Sequence, residues 1–420
     1  MLTIDTVVIG AGHAGLAVSR LLTAADVDHV VLERGRVAER WRTERWDSLR
    51  LLTPAWMSRL PYFDPPGGDP DAFSPARDFI NHLERYAASF AAPVASSAHV
   101  REVVSMDGGY RVDTDAGTWR ARHVVIATGP HGRPRIPAGL DPDRVLPASA
   151  YRNPQALAPG GVLVVGASSS GVQIADELAR SGRDVTLAVG RHTRMPRRYR
   201  GMDAYWWLHV TGRLARTIDT MPDPRAARRE PSLQLVGGPG LPEDLDLALL
   251  QDRGVRLVGR VAGVTRGTVD LVDDLGEAVA DADRRLRQLL ESLDYFARCN
   301  QWDHELLPSE RPRPVVAGPP ARRIDLTAER IGTIVVAAGY DPDHPYLRVP
   351  VADGDGHIRQ VCGRTAAPGL YVVGQRFQHR RDSGLIAGAR HDARDVVDHL
   401  VGTRAGRALR VAGVRQEVTR

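Results

Sequence analysis

The sequence contains no lysine: all 56 of its basic side chains are arginines. Without a lysine amine, the chain cannot form a Schiff base with a carbonyl compound, and it cannot build the phosphate-binding loop that ends in Gly-Lys-Ser/Thr. The formal net charge is only +5 over 420 residues, and acidic residues are interspersed among the arginines. The charge balance therefore gives little reason to expect a nucleic-acid partner.

Cysteine is almost as scarce, because Cys299 and Cys362 are the only two and no Cys-x-x-Cys pair exists. This argues against a dithiol redox centre and against a cysteine-ligated zinc site. Low cysteine usage suits a reducing compartment, so we expect a cytoplasmic protein. The first apolar segment starts at Ile4 with no basic stretch before it, and no run approaches 18 apolar residues. We therefore expect neither a secretory signal nor a membrane-spanning helix.

What is present is an ordinary globular composition, with 43% hydrophobic and 25% charged residues. At roughly 150 residues per domain, the length predicts two to three domains.

A dinucleotide-binding fingerprint follows the first predicted strand, Ile4–Ile9. The loop Gly10-Ala11-Gly12-His13-Ala14-Gly15 precedes a helical pattern, and Glu33 ends the next predicted strand. In such a loop, the first glycine permits the turn, the second admits a pyrophosphate and the third lets helix and strand pack closely. An acid such as Glu33 binds ribose hydroxyls. The predicted first site comprises Gly10, Gly12, His13, Ala14, Gly15, Glu33 and Arg34.

A second nucleotide unit begins at Gly161. The strand Val162–Val165 leads into Gly166-Ala167-Ser168-Ser169-Ser170-Gly171, a variant fingerprint in which Ser168 replaces the middle glycine. The following strand, Asp184–Val189, ends in Gly190-Arg191-His192 instead of an acid. An arginine at this position pairs with a 2′-phosphate, so the unit favours NADP(H) over NAD(H). The predicted second site comprises Gly166, Ser168, Ser169, Ser170, Gly171, Arg191 and His192, and Arg194, Arg197 and Arg198 extend its basic cluster.

Two nucleotide sites of different chemistry on one chain indicate an electron relay from a nicotinamide to a flavin. The flavin then reduces a disulfide, oxygen or another acceptor. The missing Cys-x-x-Cys removes the first of these routes.

Several motifs together resemble the flavin-containing monooxygenases, above all the plant indole-acetate-type enzymes and their bacterial relatives. They span most of the chain and read GAGHAG (10–15), WRTERWDSLRLLTP (41–54), ATGPHGRPRIP (127–137), GASSSG (166–171), VAAGY (336–340) and LYVVG (370–374). The resemblance implies an α/β fold with two Rossmann-like domains. An FAD domain of residues 1–155 and 325–420 would be interrupted by an NADPH domain of residues 156–324 that carries a helical insertion.

The resemblance also implies an activity. FAD would bind at the first fingerprint and NADPH at the second, and a C4a-(hydro)peroxyflavin would insert one atom of O2 into a small organic substrate. The expected partners are that substrate and O2, without nucleic acid or membrane, and a homodimer is one assembly the chain allows. The histidines His379, His391 and His399 show no metal-ligand spacing, so no metal is expected.

One family pattern is altered. The FxGxxxHxxxY motif falls at Asp141–Tyr151, where Asp141, Asp143 and Pro147 replace its first three fixed residues and only Tyr151 matches. Three other readings therefore stay open: an NAD(P)H:acceptor reductase, an enzyme whose substrate itself reduces the flavin, and a non-catalytic redox sensor.

The resemblance assigns roles to further residues. Thr53 and Tyr151 are the candidate catalytic residues, and Thr53 would donate to flavin N5 or a peroxide. Ser383 is expected to cap a long helix whose N-terminus faces the flavin. The remaining residues expected to contact FAD or its nucleotide partner are Trp41, Arg42, Thr128, Gly129, Gly339, Gly374 and Gln375.

Overall fold

We describe the fold from a computed structural model. It describes residues 1–65, 67–231, 233–234 and 244–417, with side chains up to residue 403.

The strands are short and lie mostly in two sheets. In chain order they are β1 (Leu2–Ile9), β2 (His29–Leu32), β3 (Val94–Ala95), β4 (Val100–Met106), β5 (Gly109–Thr114), β6 (Gly117–Ile126), β7 (Arg133–Pro134), β8 (Val145–Pro147), β9 (Gly161–Val165), β10 (Val185–Ala188), β11 (Arg198–Tyr199), β12 (Met202–Asp203), β13 (Arg256–Val258), β14 (Val261–Thr265), β15 (Thr268–Leu271), β16 (Arg323–Asp325), β17 (Ile331–Val336), β18 (Tyr340–Asp341) and β19 (Leu370–Val372).

The helices differ widely in length. They are α1 (His13–Ala24), α2 (Glu39–Thr43), α3 (Ala76–Ser89), α4 (Ser169–Arg180), α5 (Ala204–Val210), α6 (Pro224–Arg228), α7 (Leu247–Asp252), α8 (Leu275–Cys299) and α9 (Ile386–Glu417), with 3₁₀ turns at Ala55–Ser58, Pro154–Ala156 and Ile218–Thr220.

The first sheet has the order β3-β2-β1-β6-β5-β4, and β19 also pairs with β6. The strands β1, β2, β3, β6 and β19 run parallel to their neighbours, while β4 and β5 form an antiparallel extension. Side chains alternate along β1, so that Val8 packs with α1, α3 and α9 whereas Val7 packs on the opposite face. This alternation is what a sheet covered on both faces requires.

The second sheet is parallel throughout, in the order β13-β10-β9-β17-β8. Its central strand β9 reads as an unbroken apolar run, as expected for a strand buried on both faces. Val164 packs with α4 and α7, and Leu163 packs toward the small antiparallel sheet β14-β15-β16. The predicted fold class, α/β with two dinucleotide-binding units, is confirmed.

The short strands that follow the two sheets pair with each other. The strand β7 follows the end of β6, β18 follows the end of β17, and the two form an antiparallel ladder in which Tyr340 faces Pro134. The Arg135 guanidinium reinforces this ladder by binding Asp341 (Nη2 to Oδ1, 2.7 Å). The carboxyl ends of both parallel sheets therefore meet along one seam, which is where ligands of open α/β sheets bind.

The sheets do not divide at the predicted boundaries, although the boundaries remain predictions as domain limits. The second sheet takes in β8, which precedes residue 156, and β17, which follows residue 324. The sequence does not indicate this pairing, because the paired residues of β17 and β9 lie 170 to 171 positions apart (Ile331 with Gly161 is the first pair, Val336 with Val165 the last). Among the described residues, no helix combines the length and the apolarity needed to cross a bilayer.

Candidate functional site: two nucleotide loops on one seam

The first glycine loop has the geometry its sequence predicts. Gly10 adopts a positive φ of 108°, and its N–H donates to the Leu32 carbonyl (2.8 Å). A Cβ on Gly15 would lie 1.9 Å from the Gly10 carbonyl oxygen, so only glycine allows this contact between strand and helix. At Gly12, in contrast, a Cβ would meet nothing within 4 Å. Gly12 thus faces open space at the N-terminus of α1, which is where a pyrophosphate would lie.

Glu33 closes the same loop from the end of β2. Its carboxylate accepts from the N–H groups of Ala11 (2.7 Å) and Gly35 (3.1 Å). Each carboxylate oxygen retains a lone pair beyond these bonds, so Glu33 can hold the loop and still accept a ribose hydroxyl.

The other predicted contacts of the first unit lie at the same edge of the sheet. A Cβ on Gly374, which follows β19, would lie 2.8 Å from Ala14 Cβ in the first turn of α1. The Gln375 amide donates to the Gly129 carbonyl at the end of β6 (3.5 Å), and Thr128 Oγ1 lies 3.4 Å from the Tyr346 hydroxyl. The structure therefore brings together Gly10, Gly12, Ala14, Glu33, Thr128, Gly129, Gly374 and Gln375.

The seam also collects a basic cluster that the sequence did not predict. Burial lowers the pKa of His13 to about 4. Burial in the cleft, followed by repulsion from Arg45, Arg40 and Arg376, lowers the pKa of His131, whose ring lies 4.9 Å from Tyr340. A positive potential at this place attracts a phosphorylated ligand. The cluster joins segments more than 300 residues apart, and only the pairing of the sheets reveals it.

Three predicted contacts of the first unit are engaged within the protein. The Arg34 guanidinium pairs with Glu44 (2.7 Å), and that of Arg42 pairs with Glu84 of α3. Trp41 packs edge-on against Phe79 (4.8 Å between ring centroids) and beneath Arg45 (5.0 Å). Arg42 is thus directed to α3, and its contact with an FAD phosphate stays a prediction.

The second loop repeats the first. The Gly166 N–H donates to the Ala188 carbonyl (3.0 Å), and a Cβ on Gly171 would lie 1.8 Å from the Gly166 carbonyl oxygen. Ser168 precedes α4 with φ −81° and ψ −176°, matching Gly12 before α1 with −81° and −178°. A Cβ on Gly166 would touch Ala338 Cα (3.3 Å), which places Gly339 beside this loop as the counterpart of Gly129.

The serines leave the second loop well supplied with donors. The Ser168, Ser169 and Ser170 hydroxyls are half-buried and make no hydrogen bond with any residue that the structure describes. Together with the N-terminus of α4, they form an anion-binding surface.

The two loops differ where the second strand of each ends. Since Gly10 bonds Leu32 and Gly166 bonds Ala188, the counterpart of Glu33 is Val189, which is buried. Arg191 follows it, is exposed, and forms no ion pair within the described part of the chain. The predicted contrast between an acid and a cation is therefore present in the structure.

The remaining basic residues of this stretch have structural partners. His192 is fully buried and its Nδ1 lies 3.0 Å from the Gly190 carbonyl oxygen, so its side chain does not face solvent or a ligand. Arg194 is enclosed between Asp246 (2.9 Å) and Asp283, and Arg197 pairs with Asp203 (2.6 Å). Of this stretch, Arg191 and Arg198 are exposed, and a contact of His192, Arg194 or Arg197 with the coenzyme stays a prediction.

The two candidate catalytic residues differ in their surroundings. Thr53 is 7% exposed, and the carbonyl of the preceding Leu52 accepts from Arg197. Tyr151 is 0% exposed in the core beneath α4, and its hydroxyl donates to Glu177 (2.8 Å). Burial, and then the bond to Glu177, raise the pKa of Tyr151. A phenol enclosed in this way supports the fold, and a catalytic role for Tyr151 stays a prediction.

Ser383 also takes another role. The long helix starts at Ile386, three residues later than predicted, and Ser383 Oγ accepts from the N–H groups of His379 (3.2 Å) and Arg380 (2.9 Å). Ser383 thus caps the turn before α9 instead of the helix itself.

Comparisons with known proteins agree with this arrangement. Residues 7–204 match the family model described as pyridine nucleotide-disulphide oxidoreductase. A Geobacillus kaustophilus protein described as an uncharacterized CzcO-like oxidoreductase is 28% identical over 95% of this chain and 98% of its own. Arabidopsis YUCCA1, a probable indole-3-pyruvate monooxygenase, is 30% identical over 47% of this chain and 50% of its own. The structure of a flavin-containing monooxygenase from Stenotrophomonas maltophilia covers 96% of this chain and 99% of its own, with TM-score 0.66 and 18% identity.

These findings test two of the predictions, the class of enzyme and the types of cofactor. They confirm an oxidoreductase, and they imply a flavin and a nicotinamide nucleotide as its cofactors. The chain is similar in sequence to a plant indole-3-pyruvate monooxygenase over 47% of its length, and in fold to a flavin-containing monooxygenase over 96% of it.

Proposed function

We propose that the chain is an FAD-dependent monooxygenase that uses NADPH and transfers one atom of O2 to a small organic substrate. The observation that carries the proposal is a pair of matching glycine loops on a single seam. The residue placed to contact the ribose of the bound nucleotide is an acid, Glu33, at the first loop and a cation, Arg191, at the second. Bound flavin would supply the two-electron chemistry and the activation of oxygen.

The residues of the first loop fit FAD. Gly12 leaves room for a pyrophosphate, to which the free N–H groups at the start of α1 would donate. Glu33 would accept a hydrogen bond from a ribose hydroxyl. The cluster of Arg40, Arg45 and Arg376 would add positive charge beside the phosphates. Thr53 remains the proposed donor to the flavin edge.

The residues of the second loop fit NADPH. The free serine hydroxyls and the N-terminus of α4 would hold the pyrophosphate, and Arg191 would pair with the 2′-phosphate. Val189 in place of an acid removes the repulsion that a 2′-phosphate would otherwise meet.

Coenzyme choice tests the role of Arg191. The substitution Arg191→Ala should raise the KM for NADPH about 10–100-fold, because a charge-assisted bond is worth roughly 1.5–3 kcal/mol. The KM for NADH should change less than about threefold, since NADH lacks the phosphate. Initial rates with both coenzymes measure this, and equal losses for the two would remove the assignment.

Tyr151→Phe separates a structural from a catalytic role. Loss of the bond to Glu177 should lower the free energy of unfolding by about 1–2 kcal/mol while NADPH turnover stays near wild type. Urea unfolding and NADPH consumption measure the two effects. The matched control is Tyr110→Phe, because Tyr110 is equally buried and donates to the Pro368 carbonyl (2.8 Å). A large loss of turnover with unchanged stability would restore the catalytic role.

The second candidate is an NAD(P)H:acceptor oxidoreductase. It is favoured by Pro147, which stands where the family motif has histidine and lies in β8 against Val336. Neither cysteine belongs to a Cys-x-x-Cys pair, so a small-molecule acceptor would replace the internal disulfide.

Rapid mixing of the NADPH-reduced protein with oxygen decides between the two candidates. The proposal requires a transient absorbance that precedes the return of the oxidised-flavin spectrum, and an oxygenated product detectable by mass spectrometry. Direct return of the oxidised spectrum, with one hydrogen peroxide released per NADPH for every amine, sulfide and ketone offered, would support the acceptor reductase instead.

A further inference from the structure

A histidine and two aspartates converge at the start of α9. His379, Asp392 and Asp395 each offer one ligand atom, and these three atoms lie within 4.8 Å of one another. His379 Nδ1 is 3.2 Å from Asp395 Oδ2. For metal–ligand bonds of about 2.0–2.2 Å, tetrahedral ligand atoms lie roughly 3.4 Å apart, so small side-chain rotations suffice to enclose a cation.

Asp392 is the residue that requires an explanation. It is 1% exposed, and neither of its carboxylate oxygens meets a hydrogen-bond partner in the described part of the chain. Burial raises its pKa to about 7, while the nearby Ser383 and His379 act in the opposite direction. An uncompensated buried carboxylate is costly unless a proton or a cation accompanies it.

Within the part of the chain that the structure describes, neither of these two aspartates pairs with an arginine. The nearby Asp382 is already paired with Arg380 (3.0 Å), whereas the charge partner of Asp395 is the histidine itself. Asp395 is exposed and His379 is partly exposed, so a hydrated cation can reach the group from that side.

The histidine is held in place by its backbone. Its N–H donates to Ser383 Oγ (3.2 Å), and its carbonyl accepts from the Ile218 N–H (2.8 Å). We propose that His379, Asp392 and Asp395 bind one divalent cation of the zinc class, with water in the remaining positions. Two carboxylates and one imidazole form a mixed oxygen and nitrogen set that zinc accepts.

The proposed cation would fasten α9 to the 375–385 loop. That loop already contacts the second unit, because Arg381 N–H donates to the Arg216 carbonyl (2.9 Å) and Asp382 N–H donates to that of Leu214 (3.2 Å). The expected consequence is a higher melting temperature with zinc. The sequence does not indicate the site, since 12 residues lie between His379 and Asp392.

Titration calorimetry of the chelator-treated, flavin-containing protein with zinc chloride tests the proposal. We expect one zinc ion per chain and a zinc-dependent rise in Tm. The substitutions Asp392→Asn and Asp395→Asn should each weaken binding at least ~10-fold, as losing a ligand costs no less than losing a supporting contact. Asp392→Asn keeps the shape of the side chain and removes its charge, and Asp395 is exposed, so neither variant should impair folding.

The matched control is His304→Gln. His304 also pairs with a carboxylate, Glu305 (3.6 Å), but the pair is exposed and belongs to no group of three among the described residues. Zinc affinity should be unchanged in this variant. Absence of stoichiometric binding by the wild type, or binding that survives both aspartate substitutions, would overturn the proposal and leave a proton as the companion of Asp392.

Discussion

Replacing Gly12 with alanine should abolish flavin binding while leaving the fold intact. Gly12 has an ordinary φ of −81°, and a Cβ there would meet nothing within 4 Å of the protein. The free energy of unfolding of the flavin-free protein should therefore change by less than about 1 kcal/mol. The same Cβ would project into the space in front of α1, where close approach of backbone to pyrophosphate is required. We expect at least a ~100-fold loss of FAD affinity, which corresponds to roughly 2.7 kcal/mol.

The neighbouring glycine gives the matched control. In Gly15→Ala, the added Cβ would lie 1.9 Å from the Gly10 carbonyl oxygen, so the helix and the strand would have to separate. The flavin-free protein should lose about 2–3 kcal/mol or more. Urea unfolding of flavin-free samples and calorimetric titration with FAD distinguish the two variants. A Gly12→Ala variant that keeps the yellow colour of bound flavin through gel filtration would contradict the placement of FAD at this loop.

The second loop carries a side chain at the position that corresponds to Gly12. Ser168 occupies the backbone conformation of Gly12 and carries both a Cβ and a hydroxyl. The second unit therefore tolerates a side chain where the first has none, which agrees with a different ligand approach at the two loops.

Local elements could be predicted from the sequence because short-range pattern determines them. The strand predicted at Ile4–Ile9 is β1 (Leu2–Ile9), and the strand predicted at Val162–Val165 is β9 (Gly161–Val165). In contrast, the valine-rich stretch 255–264 divides into two strands, β13 and β14. Gly259 lies between them, where a Cβ would come 1.9 Å from the Val272 carbonyl oxygen, and the two strands enter different sheets.

The site was predicted where its residues are neighbours in sequence and missed where they are not. Both glycine loops and the contrast between Glu33 and Arg191 could be predicted, because the residues of each loop are consecutive in the sequence. The sequence does not indicate the partners of Tyr151 and Arg42, because Glu177 and Glu84 lie 26 and 42 residues away. No periodicity reports such pairings, and the same holds for the basic cluster around His131.

Arg197→Ala should have a large effect on the stability of the second unit. The Arg197 side chain is 5% exposed, pairs with Asp203 (2.6 Å) and stacks on Phe73 (3.9 Å from Cζ to the ring centroid). Its removal leaves Asp203 without its charge partner, although the Tyr205 N–H still donates to that carboxylate (2.8 Å), and it leaves the Leu52 carbonyl without its donor. Breaking a buried ion pair in this way costs about 3–5 kcal/mol.

Arg198→Ala is the control, since Arg198 is the next residue and is exposed; its loss should change stability by no more than about 0.5 kcal/mol. Because Arg197 ties the second unit to the segment that carries Thr53, its alanine variant should also weaken FAD binding, whereas Arg191→Ala should affect NADPH alone. Urea unfolding and FAD titration of both variants test this. An Arg197→Ala protein with wild-type stability would show that the tie is not needed, and the two nucleotide sites would then be held together by the β7–β18 ladder.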